Sequence, residues 1–179
     1  MEASDENLAR AAANGDREAF SALLTRHYDR LFAFTFRLMG ARDQAEDLTQ
    51  DICAALPAKL ASFRGEARFT TWLYRVAVNA AHDRRRRAAT RARAAEGWGD
   101  WEINRRAAID EARAGQSWLE AAMTALPDEL RDTVALVLGE GLKQAEVARV
   151  LSISEGTVAW RMSEVKKRLR ALKEKEAEA

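Results

Sequence analysis

A chain of 179 residues, 47% apolar and 32% charged, has the make-up of a soluble globular protein with room for one domain or two small ones, and a disordered chain is excluded. Its one cysteine, Cys53, excludes an internal disulfide and a CxxC zinc site and fits a reducing compartment. No stretch approaches the roughly 20 apolar residues of a membrane span and no basic-then-apolar leader opens the chain, so a cytoplasmic protein is expected. A net charge of +1 conceals segregation: residues 41–51 hold four acids and one base, whereas residues 63–93 hold nine arginines against two acids, Glu66 and Asp83.

With two prolines, nine glycines and almost no alternation of β-branched residues, the chain is expected to be nearly all helix. A short helix is predicted over residues 5–14, stopped by Gly15, and Asp16 is placed to cap the next one with its side-chain oxygen. In that longer helix Phe20, Leu23, Leu24, Tyr28, Leu31, Phe34 and Leu38 form one apolar stripe, ended by Gly40. Asp43, three residues before Glu46, resembles a capping box for a third helix carrying Ala45, Leu48, Ile52, Ala55 and Leu56, which Pro57 should kink or end. A loop containing Gly65 follows. Thr70 or Thr71 is the expected cap of a fourth helix through Trp72, Val76 and Ala80 into the arginine run.

Periodicity fades from about residue 89, and residues 91–116 read as a flexible linker anchored sporadically by Trp98, Trp101, Ile103 and Ile109. It divides a domain of residues 1–90 from one of residues 117–179. The second restarts at Trp118, Leu119, Ala122, Met123 and Leu126, accepts Pro127 at a helix start, and continues its core through Leu130, Val134, Val137 and Leu138 to Gly139 and Gly141. A short helix with Leu142, Val147, Ala148 and Leu151, a turn at residues 152–154, and a last helix with Val158, Met162, Val165, Leu169 and Leu172 make a helix-turn-helix pattern. Ala148 permits close approach of its helices, Ile153 fills the space beneath the turn, and Ser154 caps the last helix. The expected fold is therefore all-α, two small helical domains joined by a flexible linker.

Three surfaces carry chemistry. In residues 63–93 the rings of Phe63, Phe69, Trp72 and Tyr74 are of the kind that stacks on unpaired bases, while guanidinium groups neutralise phosphates and release counterions. In the last helix Thr157, Trp160, Arg161, Glu164 and Lys167 lie about half a turn from the apolar stripe, and Arg168 adds charge, a face suited to a DNA groove. On the third helix Glu46, Asp47, Gln50 and Asp51 form an acidic face that repels DNA and attracts a basic protein. Catalysis has little support: no glycine-rich phosphate loop follows a strand, no histidine pair has metal spacing, and His27 and His82 read as packed or solvated side chains. No enzyme, metal, cofactor or small-molecule substrate is expected.

Taken in order, DREAFSALLTRHYDRLF, AEDLTQD, FRGEARFTTWLYRVAVNAAHDRRRR and EVARVLSISEGTVAWRMSEVKKRLR closely resemble a bacterial RNA polymerase sigma factor of the extracytoplasmic-function group. The resemblance implies a first domain that binds core polymerase and the minus-ten promoter element, and a second that binds the minus-thirty-five element. By position, Glu46, Asp47, Gln50 and Asp51 match the segment that docks on the polymerase. Residues 63–69, with Phe63, Arg64 and Phe69, match the loop that captures a flipped base. Trp72, Arg75 and Asn79 match the helix at the upstream edge of the bubble, with Asn79 a base reader, and Arg84, Arg85, Arg86 and Arg87 match phosphate holders. Thr157, Trp160, Arg161, Glu164, Lys167 and Arg168 match the groove face of the recognition helix. An anti-sigma partner is also implied.

Extruding a base costs a few kcal/mol, of which an aromatic pocket returns about 1–3 kcal/mol. General-purpose sigma factors carry two adjacent tryptophans where this chain has Trp72 and Leu73, so weaker melting and stricter promoter demand are expected. Lys143 stands where a hydroxyl cap is usual and Ser152 where a turn glycine is common, each at a cost of about 1 kcal/mol. Two other readings share the C-terminal motif. A polymerase-independent helix-turn-helix regulator leaves the acidic helix without a purpose. A sigma mimic that sequesters an anti-sigma factor usually lacks the basic block that survives here.

Overall fold

The computed structural model describes residues 3–95 and 118–177. Eight α-helices build it: α1 (Asp5–Ala13), α2 (Arg17–Met39), α3 (Arg42–Leu60), α4 (Phe69–Ala95), α5 (Trp118–Ala125), α6 (Asp128–Val134), α7 (Gln144–Leu151) and α8 (Glu155–Ala177), with a π-helical turn, Ala135–Gly139, prolonging α6. No strand occurs among the described residues. The linker anchors Trp98, Trp101, Ile103 and Ile109 lie outside them.

The local signals for α1 and α2 act as the sequence predicts. Asp16 Oδ1 accepts the backbone N–H groups of Glu18 and Ala19, both at 3.0 Å, and Gly40 ends α2 in a left-handed conformation (φ 75°) that a side chain would resist. Elsewhere tertiary contacts supply what the sequence assigned to local ones. α3 begins at Arg42 with no side-chain cap from Asp43, and it runs on through Pro57 to Leu60. Proline at that position removes a donor only from the last turn, where Leu56 and Leu60 remain anchored in the core. α4 is opened not by Thr70 or Thr71 but by Glu6 of α1, whose carboxylate accepts the Phe69 N–H at 3.2 Å.

α4 also extends to Ala95, beyond the point where periodicity fades, so the helix includes residues read as tether. Its buried face is Leu73, Tyr74, Ala77, Val78 and Ala81, while Trp72, Val76 and Ala80 are only half-buried at the edge of the core. Leu138, expected in the core, is 70% exposed, because the π-helical turn rotates the backbone and leaves Leu136 as the buried side chain.

At the helix-turn-helix, Ser154 Oγ accepts the Thr157 N–H at 3.1 Å and Ala148 is buried. Lys143 supplies no acceptor, but its backbone N–H bonds the Glu146 carboxylate at 3.0 Å, one half of a capping box. Ser152 occupies the left-handed region (φ 55°) expected to favour glycine.

A single apolar core joins the N-terminal helices to the C-terminal ones: Leu31, Phe34, Leu38, Tyr74, Ala77 and Val78 are continuous with Leu136, Val147, Val150 and Val158. A smaller cluster of Leu126, Leu130, Val134, Met162 and Val165 binds α5, α6 and α8 together.

Candidate nucleic-acid interface

The loop after α3 and the first turns of α4 enclose an open hollow of about 510 Å³. Phe63, Arg64, Trp72, Arg75 and Asn79, all predicted DNA contacts, line it together. Phe63 and Trp72 meet edge to face at 5.5 Å between centroids, and both rest on Phe69, at 5.8 Å each. Phe69 is itself 1% exposed and packs on His27 at 5.3 Å. Two assignments are thereby corrected. Phe69 is the floor beneath the stacking rings, not a ring open to a base, and Tyr74, also 1% exposed, is a core residue packed on Phe34 at 4.9 Å. Leu73, where general-purpose sigma factors carry a second tryptophan, is buried too.

Chemically the hollow combines half-buried rings, the Arg64 and Arg75 guanidinium groups and the Asn79 amide, a set able to stack on one base, bond its edge and neutralise a neighbouring phosphate. Its far wall comes from the other end of the chain, Arg149 and Val150 of α7, which the sequence analysis missed because they lie in the helix-turn-helix.

Downstream on α4 the four adjacent arginines have different fates. Arg86 and Arg87 are exposed, Arg86 pairing with Asp83 at 3.0 Å. Arg84 reaches across to α3 and bonds Asp47 at 2.8 Å and Asp51 at 3.2 Å, so the basic and acidic surfaces touch. Arg85 turns inward: it donates to both oxygens of Asp132, at 2.9 and 3.0 Å, and to the Leu38 carbonyl. In this arrangement it is not a phosphate holder, which corrects its assignment. His82 bonds the same carboxylate at 2.7 Å.

Burial alone would raise the Asp132 carboxyl, but the hydrogen bonds from His82 and Arg85 prevail and hold it below the usual carboxylate range. A second buried carboxylate, Glu140, follows the π-helical turn and accepts from Arg30 at 2.8 Å, from Arg37 at 2.7 Å and from the Tyr74 hydroxyl. Burial, and then that carboxylate, push the Tyr74 phenol well above its ordinary value, while the bond to Glu140 raises Arg30. Neither carboxylate was foreseen. Tyr74 carried the available signal, since a buried phenol needs a partner for its hydroxyl.

The acidic face stands open on α3, with Glu46, Asp47, Gln50 and Asp51 all exposed and Glu46 paired with Arg42 at 2.9 Å. On α8 Trp160 is 62% exposed and Lys167 is exposed, while Arg168 pairs with Glu164 at 3.0 Å and Thr157 shares a 2.8 Å hydroxyl bond with Ser154. Arg161 lies folded against α6: its guanidinium approaches the Glu129 carboxylate at 3.4 Å, and its Nε is buried with no hydrogen-bond partner among the described residues. An orphaned donor of this kind costs about 1–3 kcal/mol, set here against the bonds that the other two guanidinium nitrogens make to Glu129. Among the described residues no group of His, Cys, Asp and Glu could hold a metal ion.

Residues 23–91 match the family model for sigma-70 region 2, and residues 116–169 that for sigma-70 region 4. The ECF RNA polymerase sigma factor SigM of Mycobacterium tuberculosis is 34% identical over 171 residues, an alignment covering 96% of this chain and 85% of the relative. A solved structure of CnrH in complex with the cytosolic domain of CnrY superposes with a TM-score of 0.68 at 28% identity, covering 95% of this chain and 97% of that one. RpoE of Bartonella quintana, solved with the anti-sigma factor NepR, has the same fold, with a TM-score of 0.71 at 22% identity over 88% of this chain and 98% of that one.

Proposed function

Since the chain belongs to the extracytoplasmic-function (ECF) sigma factors of RNA polymerase, we propose that its acidic α3 face docks on the core enzyme and its aromatic hollow receives an unpaired promoter base. As a sigma factor it binds core polymerase and promoter DNA and directs transcription initiation. Its own residues divide that work by charge. Glu46, Asp47, Gln50 and Asp51 face a basic polymerase surface, and Phe63, Arg64, Trp72, Arg75 and Asn79 hold the minus-ten strand, with Arg84, Arg86 and Arg87 beside the neighbouring phosphates. Thr157, Trp160, Arg161, Glu164, Lys167 and Arg168 form the minus-thirty-five face.

The observation that carries this reading is the convergence of five of those residues on one hollow. A base that leaves the stack loses a few kcal/mol, and half-buried rings beside cationic groups offset that loss. Asn79 is the natural reader of the base edge, because its amide donates and accepts at once. The regions on either side of the linker are the minus-ten and minus-thirty-five units of this scheme.

Bond making stays with the polymerase in this reading, and the cytoplasm is the site of action. Among the described residues no helix is long and apolar enough to cross a membrane. An anti-sigma factor is the inhibitory partner, by analogy with RpoE solved with NepR and CnrH solved with CnrY.

Co-elution with purified bacterial core polymerase tests the proposal. Wild type is expected to join the core enzyme in gel filtration and the Asp47→Arg/Asp51→Arg variant to elute free. Wild type eluting free would contradict the reading.

A further inference from the structure

We infer that Glu6 of α1 is a positioning residue for the aromatic hollow: by fastening the first turn of α4 it seats the ring of Trp72 against those of Phe63 and Phe69. What the hollow receives rests on the sigma reading above; the fastening rests on contacts alone. α1 precedes residues 23–91, the segment that matches the region 2 model. The first amides of a helix have no partner within it and need an acceptor from outside. The residue before α4 offers none: the Arg68 carbonyl accepts the Trp72 N–H at 3.1 Å, which puts Arg68 at the cap position, and an arginine side chain has only donors. Glu6 fills that place. Its carboxylate accepts the Phe69 N–H at 3.2 Å, an anion at the positive end of the helix dipole.

The residue beside it holds the same floor from below. Asp5 bonds His27 Nε2 at 2.8 Å and accepts from Arg26 at 2.7 Å. The His27 ring packs on Phe69 at 5.3 Å, and Phe69 in turn carries Phe63 and Trp72, 5.8 Å from each. α1 also lies alongside the loop, because a Cβ built at Gly65 comes within 3.7 Å of the Arg10 guanidinium. One helix therefore supports the start of α4, the ring beneath the hollow and the loop above it.

A helical turn takes 3.6 residues, so the turn that begins at Phe69 includes Trp72. Unfastened, that turn frays first, and the edge-to-face pair of Phe63 and Trp72, at 5.5 Å, loses its seat on Phe69. Arg75 and Asn79 lie deeper in α4 and keep their helical places. Glu6 thus governs the stacking wall of the hollow rather than the amide that reads a base edge.

Glu6→Ala removes the acceptor, whereas Glu6→Gln keeps an oxygen able to accept the same N–H. Hydrogen exchange in the free chain reads the fastening: peptides covering residues 63–75 are expected to exchange about fivefold faster in Glu6→Ala, the weight of one helix cap, and at the wild-type rate in Glu6→Gln. Reconstituted holoenzyme on a genomic fragment that yields a run-off transcript reads the function. Permanganate reactivity of unpaired thymines is expected to fall about fivefold in Glu6→Ala and to return in Glu6→Gln, with core binding and DNase protection of the upstream element unchanged. Exchange or thymine reactivity that Glu6→Ala leaves at the wild-type level overturns the inference, as does a Glu6→Gln variant as impaired as Glu6→Ala. A loss shared equally by core binding and the upstream footprint makes α1 a general stabiliser and overturns it too. A wild type that opens no promoter contradicts the sigma reading alone, since the exchange comparison still decides the fastening.

Discussion

Arg85 and Asp132 meet in a two-pronged ion pair, one guanidinium nitrogen to each carboxylate oxygen at 3.0 and 2.9 Å, with the Asp132 side chain 1% exposed. The pair ties α4, which carries the arginine run, to α6, which packs on α8. Removing one member of such a pair leaves the other charge buried. Asp132→Ala is therefore expected to destabilise the chain by about 2–4 kcal/mol, because Arg85 loses its partner where little water reaches it. Urea unfolding followed by circular dichroism measures this, and an unchanged midpoint would contradict it.

Acid should weaken the same contact. The Asp132 carboxyl is drawn up by burial but held lower on balance by His82 and Arg85 from α4, with Asp128 and Arg131 of its own helix beside them. A carboxyl whose folded pKa is depressed contributes stability that is present above its unfolded value, about 3.9, and is lost as pH falls through the folded value. The stability gap between wild type and Asp132→Asn is thus expected to be full near neutrality and to close as the pH drops below the ordinary carboxylate range. Unfolding curves collected across that range check it; a gap independent of pH would contradict it.

Much of this was legible in the sequence, and the exceptions share one cause. The Asp16 cap, the Gly40 stop, the Ser154 cap and the stripe through Leu23, Leu31, Phe34 and Leu38 are local signals, readable wherever the partner lies within a turn or two. The resemblance to the family, not helical spacing, is what pointed to Arg75 and Asn79, which line the hollow beside Phe63 and Trp72. What failed needed distant partners. Glu6 opens α4 from 63 residues away, and Arg85 finds Asp132 after 47. Phe69 and Tyr74 looked like stacking rings because aromatic residues among arginines carry no mark of which face the core will claim. Arg161 lies folded onto Glu129 for the same reason, since the groove face of a helix-turn-helix can be shared with the helix behind it.

Asn79 is exposed at the edge of the hollow, and its amide makes no hydrogen bond among the described residues. Asn79→Ala is expected to leave the unfolding midpoint near that of wild type and to impair strand opening more than initial duplex binding. The lost base contact is worth about 1–3 kcal/mol, or roughly tenfold to a hundredfold in open complex. Permanganate footprinting of unpaired thymines with core polymerase reads this directly, and an undiminished bubble would count against the assigned role.

Arg161 has a buried Nε with no partner among the described residues, and the groove face proposed for α8 would offer it an acceptor on DNA in place of Glu129. Arg161→Ala is expected to weaken protection of the upstream promoter element by roughly tenfold or more while leaving the downstream bubble, once formed, in place. DNase footprinting on a promoter of this factor compares the two, and an unaltered upstream footprint rejects the groove face proposed for α8.

Run-off transcription with purified core polymerase on genomic fragments puts the whole scheme to its most direct test. The account predicts discrete transcripts that appear only when this chain is added and disappear with Asp47→Arg/Asp51→Arg. Transcription indifferent to the chain, or equally strong with the acidic face reversed, would contradict it.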